Sequence, residues 1–402
     1  MLSTNAFRYY KKNYDLFGQF DRGLPTIYYN LMSFLFLFIY ITGISRLFKL
    51  IIVRQILSRK MEGEDIVSFV FSINNHTIHN ALTKLGLTFP VYDFISQDSP
   101  RKKSNYFSTR LILFSSLANA RSVYFELKNA KKDEVLYHNA IRVVKLSGLA
   151  FIYDHLLNGV KVVIQYNDHA PYCVLLHDMA EYRKIKTVYI QHAPVSERFP
   201  PLYHDLNILF SQDSVDKYHV INNSVKKFIL FDVRLVLWNP VDDVSGESVL
   251  ICPNKLDDLS IVKMLAKELN SIYKVIIRPH PADDRDWEDG KTYEVSKGRT
   301  IWDDIANAKY VLTNESAIIL EAIHTDRLCY KCAFFSSSFD NYGFLRKGLL
   351  LWEYFTPAAV IKDISKEEIT YNKHMFAYFV GEVNDKEKKI KLLKNEILHL
   401  RD

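Results

Sequence analysis

Cysteine is scarce. Four residues in 402 (Cys173, Cys252, Cys329 and Cys332) are too few and too scattered for a disulfide framework. Cys329 and Cys332 are spaced C-x-x-C, but they fall in the apolar run LCYKCAF. Positions i and i+3 of a strand point to opposite faces, so neither a redox pair nor half of a zinc site is expected. Internal repeats and low-complexity tracts are absent as well. Acidic residues are nearly missing from the first 60 positions, where Asp15 and Asp21 stand against nine Lys or Arg, a net +7. The whole chain is +6, so the remaining 342 residues carry −1. A nucleic-acid-binding protein would spread its basic surface over its folded domains; here the excess sits beside the most apolar segment, and no nucleic-acid partner is expected.

That segment, GLPTIYYNLMSFLFLFIYITGIS (Gly23 to Ser45), has no charge between Arg22 and Arg46. As one helix it would reach about 34 Å, enough for a hydrocarbon core of about 30 Å. The basic, apolar stretch RLFKLIIVRQILSRK follows it and suits the anionic surface of a cytoplasmic leaflet. The late apolar start and the missing small-residue cleavage site argue against a cleaved signal peptide. Three placements remain open: a membrane span, a helix lying in the interface, or a buried core helix. Residues 1–60 are expected to anchor the chain to a membrane, with residues 24–60 in contact.

What is present is a folded body, with 48% hydrophobic and 24% charged residues, too long for one ordinary core. Strand and helix signals alternate: IVSFVFS leads into a helix-like NHTIHNALTKLG, a mostly helical stretch covers Ser104 to Leu157, and VKVVIQYND, KTVYIQHA and DLNILFSQD follow with helices between. After a Pro-, Gly- and Asp-bearing pause (WNPVDDVSGE) the pattern restarts with SVLICPN, YKVIIRPHP, YVLTN and LCYKCAF. Short β-branched runs separated by helices predict parallel sheets of βαβ units. The expected organisation is an N-terminal segment (1–60), a Rossmann-like domain (61–237), a linker (238–247), a second Rossmann-like domain (248–361) and a helical tail (362–402). Ligands of such folds bind outside the carboxyl ends of the strands.

Two strand ends in the second domain carry distinct polar caps. In Thr313-Asn314-Glu315-Ser316 a strand hands over to a helix SAIILEAIHT. The free amides and dipole of a helix start favour a phosphate there, Ser316 adds a hydroxyl, and Glu321 stands where a carboxylate would accept from ribose hydroxyls. The bland reading is a capped helix with a solvated Glu. In Arg278-Pro279-His280-Pro281 two prolines hold the chain extended and present an imidazole suited to a phosphate.

Ile277 to Pro281 together with Thr313 to Ala322 resembles the donor-binding half of the GT-B glycosyltransferases of bacterial surface-polysaccharide assembly: sialyl- and polysialyltransferases, capsule Kdo transferases, and CDP-glycerol glycerophosphotransferases. The likeness is carried by local motifs between about residues 160 and 335. It implies two Rossmann-like domains facing a cleft, a cytidine nucleotide phosphate held by His280 and Ser316, and a ribose on Glu321. Arg278, Thr313 and Asn314 complete the expected nucleotide site. Ala317 replaces the second of two adjacent serines usual in the glycerophosphotransferases, and the acidic-acidic-Gly motif of the sialyltransferases has no copy before residue 230. In the first domain, Gln191-His192-Ala193 resembles a Gln-His-Gly found at this place in related transferases. This makes His192 the expected base toward an acceptor hydroxyl, with Asp168, His169 and Glu197 as rivals.

No cofactor and no metal site are expected, since Asp284-Arg285-Asp286 reads as a chance D-x-D in an acidic loop. The expectation is an inverting, metal-independent glycosyl transfer from a nucleotide-activated donor to a lipid-linked or growing surface glycan of capsule, lipopolysaccharide or O-antigen type, at the cytoplasmic face of a bacterial inner membrane. A CDP-glycerol-type transferase, a nucleotide-sugar epimerase and a non-catalytic membrane scaffold are the alternatives.

Overall fold

The computed structural model describes residues 26–402 apart from 59, 61–62, 95–108, 131–139, 198, 222–224, 237–246, 282, 289–291, 297–299, 337–339, 369 and 382–384. The expected linker 238–247 falls almost wholly outside the described residues.

The first domain is a parallel sheet of β1 (Ile66–Val70), β2 (Val91–Asp93), β3 (Val162–Gln165), β4 (Lys186–Ile190), β5 (Leu206–Leu209) and β6 (Phe228–Leu230), in the spatial order β2-β1-β3-β4-β5-β6. The strands are buried almost throughout, as both faces of an all-parallel sheet must be. α3 (Ile73–Lys84) follows β1 and is capped by Ser72, which accepts from the Asn75 amide. α4 (Thr109–Ala118), α5 (Ala120–Ala130) and α6 (Ala140–Leu156) fill the interval read as mostly helical. α7 (Pro171–Tyr182) starts with proline, whose missing amide costs nothing in a first turn. α8 (Gln212–Ile221) follows β5.

The apolar N-terminal run does not form one straight span. α1 (Thr26–Ile41) ends at a turn where Gly43 takes φ +71°, and α2 (Ser45–Leu57) leaves at 91° to it. No single described helix is long and apolar enough to cross a bilayer; this pair passes only together. Phe36, Ile39, Ile52 and Ile56 are buried against Leu111, Val123 and Leu127, so one face of each helix belongs to the first domain's core.

The second domain is built the same way, from β7 (Ser248–Cys252), β8 (Val275–Ile277), β9 (Glu294–Val295), β10 (Ala308–Thr313) and β11 (Leu328–Lys331), all parallel, in the order β11-β10-β7-β8-β9. α9 (Leu259–Asn270) is capped by Asp258, and α10 (Ile301–Ala306) by a reciprocal Thr300/Asp303 box. α11 (Ile318–His324) follows β10, and α12 (Pro357–Ile364) and α13 (Lys373–Val380) close the domain. All four cysteines are free and buried.

The chain then returns to where it began. α14 (Lys386–Arg401) buries Leu393 and Ile397 beside Ile164, Val188 and Leu206 of the first sheet. The crossing passes through Gly381 at φ +81°, ψ 171°, a region open only to glycine. A Cβ there would stand 2.7 Å from the Phe210 carbonyl oxygen. Gly381→Val is therefore expected to destabilise the protein by about 2 kcal/mol or more and to lower Tm, read by calorimetry; an unchanged melt would show that the crossing carries no such constraint.

Candidate active site

At the end of β3 the chain turns through Asn167, whose Oδ1 accepts from the amides of His169 and Ala170 at 3.0 and 2.8 Å. The turn places Asp168 inside the domain. Its Oδ1 bonds His169 Nδ1 at 3.0 Å and its Oδ2 accepts from the Tyr218 hydroxyl at 2.5 Å. Burial alone would raise the Asp168 carboxyl, but the His169 and Tyr218 hydrogen bonds and the neighbouring imidazoles hold it below its ordinary value. An ionised Asp168 fixes a His169 proton on Nδ1.

The loop after β4 is pinned by buried Gln191, which donates to the Ala193 carbonyl at 2.8 Å and accepts from the Phe210 amide at 2.8 Å. His192 is thereby set against His169, the ring centroids 6.2 Å apart. Burial, then the His169 charge, with Arg234 adding to them and Asp168 opposing, push the His192 imidazole down to about 4. Its buried Nδ1 has no hydrogen-bond partner. His192 is thus neutral across the physiological range, as a base must be. Glu197, the third rival, stands elsewhere: it is exposed and paired with Arg346 at 2.8 Å.

In the second domain β7 lies between β8 and β10, and its exit loop joins the two polar caps. Asn254 donates to the Glu315 carbonyl at 2.7 Å on one side, and its own carbonyl accepts from Arg285 at 3.1 Å on the other. Arg285 in turn holds Asp283 at 2.6 Å, beside the His280 turn. His280 and Ser316 therefore follow two strands that lie two spacings, about 10 Å, apart at the carboxyl edge of the sheet. The strand order reverses between β7 and β10, the switch point where α/β sheets hold ligands. His280 is exposed, and partial burial with nearby Lys255 lowers its proton affinity despite Asp283.

The remaining expected nucleotide ligands sit less simply. Arg278 bonds Asp304 at 2.5 Å and Ser296 at 3.3 Å. Thr313 spends its hydroxyl on the Cys252 carbonyl at 2.7 Å, and buried Asn314 donates to Ser336 at 2.9 Å. Both support the loop from beneath. The helix expected from Ser316 begins only at Ile318 and runs seven residues, so its dipole is weaker than the sequence pattern implied. Ser316 Oγ caps the Ile318 amide at 3.4 Å.

Glu321 joins the two halves. Its Oε1 meets Arg234 Nη1 at 3.2 Å, while Arg234 is held by Asp232 at 2.7 Å and stacked on the Phe210 ring at 4.0 Å. Asp232 and Arg234 lie just past β6. The carboxyl ends of both sheets thus face one cleft, with Arg234, which also lowers the proton affinity of His192, at the crossing. Beside it Lys217 bonds the Tyr342 carbonyl at 2.7 Å and Lys347 bonds Asp213 at 2.8 Å, a second tie between the domains. Sequence reading missed Arg234 because β6 is a three-residue strand; FDVR, like the other strand exits, carried the signal.

Solved structures share this fold. The wall teichoic acid polymerase TagF superposes with a TM-score of 0.53 at 10% identity, covering 93% of this chain and 98% of its own. MnaA of S. aureus with UDP gives a TM-score of 0.53 at 10% identity over 84% and 97%. The fold is GT-B. No protein-family model and no curated protein sequence matches the chain, so the GT-B likeness is one of architecture.

Burial drives the Glu321 carboxyl up to about 7 against the opposing pull of Arg234. The folded value lies above the ordinary 4.5, so this group's contribution to stability is complete below that pH and is lost as pH rises through 7. Ribose hydroxyls require the carboxylate as acceptor. If Glu321 holds a ribose, as the motif resemblance implies, nucleotide affinity is expected to rise up to about tenfold between pH 6 and 8, and Glu321→Gln to flatten that slope, read by calorimetric titration.

Proposed function

We propose that this GT-B protein is a metal-independent, inverting glycosyltransferase that takes a sugar from a nucleotide donor, a cytidine nucleotide by the His-Pro and Ser motifs, and passes it to a lipid-linked or growing bacterial surface glycan at the cytoplasmic membrane face. What supports it is a neutral His192 beside an ionised Asp168 at the carboxyl end of the first sheet, His280 and Ser316 at the switch point of the second, and the Arg234–Glu321 pair that ties the two edges together. The acceptor hydroxyl gives its proton to His192 as its oxygen forms the new bond to the anomeric carbon. The bond from that carbon to the donor phosphate breaks, and the leaving phosphate takes hydrogen bonds from His280 and Ser316. Stabilising charge where it develops in the transition state supplies much of the rate enhancement of many enzymes.

The likeness to TagF favours a second reading, transfer of a phospho-polyol from a CDP-linked donor through the same cleft. Thermal-shift titration with CMP, CDP, UDP and GDP, followed by product analysis with CMP-sugars and CDP-glycerol, separates the two. A ligand at 100 times its Kd stabilises by about 2.7 kcal/mol, so the expected result is a clear rise in Tm with a cytidine nucleotide. A response to UDP alone would remove the cytidine assignment and keep the transferase; no response to any nucleotide would remove both.

A further inference from the structure

The outer faces of α1 and α2 are apolar and uncovered among the described residues. Among the described residues, eleven of the 25 exposed large apolar side chains fall between residues 31 and 57. On α1 they recur at Leu31, Phe34, Leu35, Phe38 and Ile41, a single stripe at helical spacing opposite buried Phe36 and Ile39. On α2, Leu47, Leu50 and Ile51 stand opposite buried Ile52 and Ile56. The stripe does not stop at the N-terminal pair: α5 packs on α1 and α4 on α2, and they leave Phe125 and Phe114 half exposed. Charge selects the partner. Arg46, Lys49 and Arg54 are exposed on α2, Arg110 and Arg121 on α4 and α5, and the sequences of α1, α2 and α4 contain no Asp or Glu.

We infer that these four helices form one monotopic platform that docks on an anionic phospholipid surface, with α1 and α2 lying in the interface plane and Phe114 and Phe125 entering it beside them. A span is disfavoured by packing, because drawing α1 through a bilayer would strip Phe36 and Ile39 from Leu111, Val123 and Leu127. In-plane helices bury their apolar face only about 5–10 Å deep and add electrostatic attraction to acidic lipids. The inference deepens the membrane placement proposed above. It can be tested without donor or acceptor, so it stands or falls separately from the transferase reading.

The test is co-sedimentation of the full-length protein with phosphatidylcholine vesicles, with and without one quarter phosphatidylglycerol. Binding is expected with the anionic vesicles and to weaken in high salt. Phe114→Ser with Phe125→Ser is expected to lower affinity about tenfold with the thermal melt unchanged, since both side chains face outward. Phe38→Trp fluorescence is expected to be quenched most by lipids brominated near the headgroup. Equal binding to both vesicle types, unchanged binding by the double variant, or strongest quenching by deeply brominated lipids would overturn the platform. So would a stable dimer that hides this face and binds no vesicle.

Discussion

Alanine at His280 is expected to lower kcat/KM for the nucleotide donor by about 10²–10³-fold, the cost of losing one hydrogen-bond donor to a developing anion. The side chain stands exposed at the rim of the second sheet, and its backbone is set by two prolines, so the loss is chemical: the melt of the unliganded protein should not move. The effect should divide between weaker nucleotide binding and slower turnover, because the same imidazole meets the phosphate before and after the bond to the sugar breaks. If instead the variant keeps full activity, the RPHP turn is only a strand terminator. Ser316→Ala should repeat the phenotype in the same direction.

His192→Ala is expected to cost about 10²–10⁴-fold in turnover while leaving nucleotide affinity near that of the wild type, because the residue stands on the opposite wall of the cleft. With its proton affinity depressed to about 4, the base remains neutral down to mildly acidic pH. Glu321, pushed up to about 7, is expected to contribute to a change of kcat/KM near neutral pH. His192 also weakens the fold in acid: an unfolded imidazole binds a proton near 6.5 and the folded one only near 4, so this group's contribution to stability is complete above about 6.5 and falls between those values. His169→Ala separates the rivals. Held by Asp168 at 3.0 Å, His169 would cost less than His192 if it only tunes its neighbour, and more if it is itself the base.

Much of this architecture was legible in the sequence because parallel strands buried on both faces read as β-branched runs, and because βαβ order leaves few topologies. Gln191 to His192 and Asp168 to His169 were visible as polar residues ending such runs. What was not legible depended on neighbours distant in sequence. Arg278 was expected at the nucleotide, and its pairing with Asp304, 26 positions on, had no local signal. Glu197 looked like a base and is an exposed partner of Arg346, 149 positions away. The apolar run Gly23 to Ser45 was long enough to span on composition alone. The bend at Gly43 and the packing of α5 on its inner face appear only when the chain is folded. Glu321 stood out as a ribose ligand, but its Arg234 partner sits on the other domain, beyond the reach of any local pattern.

Donor binding as proposed requires His280 and Ser316 to grip one phosphate, and a double-mutant cycle tests that directly. Nucleotide affinity is measured for the wild type, His280→Ala, Ser316→Ala and the double variant, using whichever nucleotide binds most tightly. Two groups on one ligand phosphate are expected to couple by about 0.5–3 kcal/mol. Two single losses that simply add, or that leave affinity untouched, would contradict a shared site.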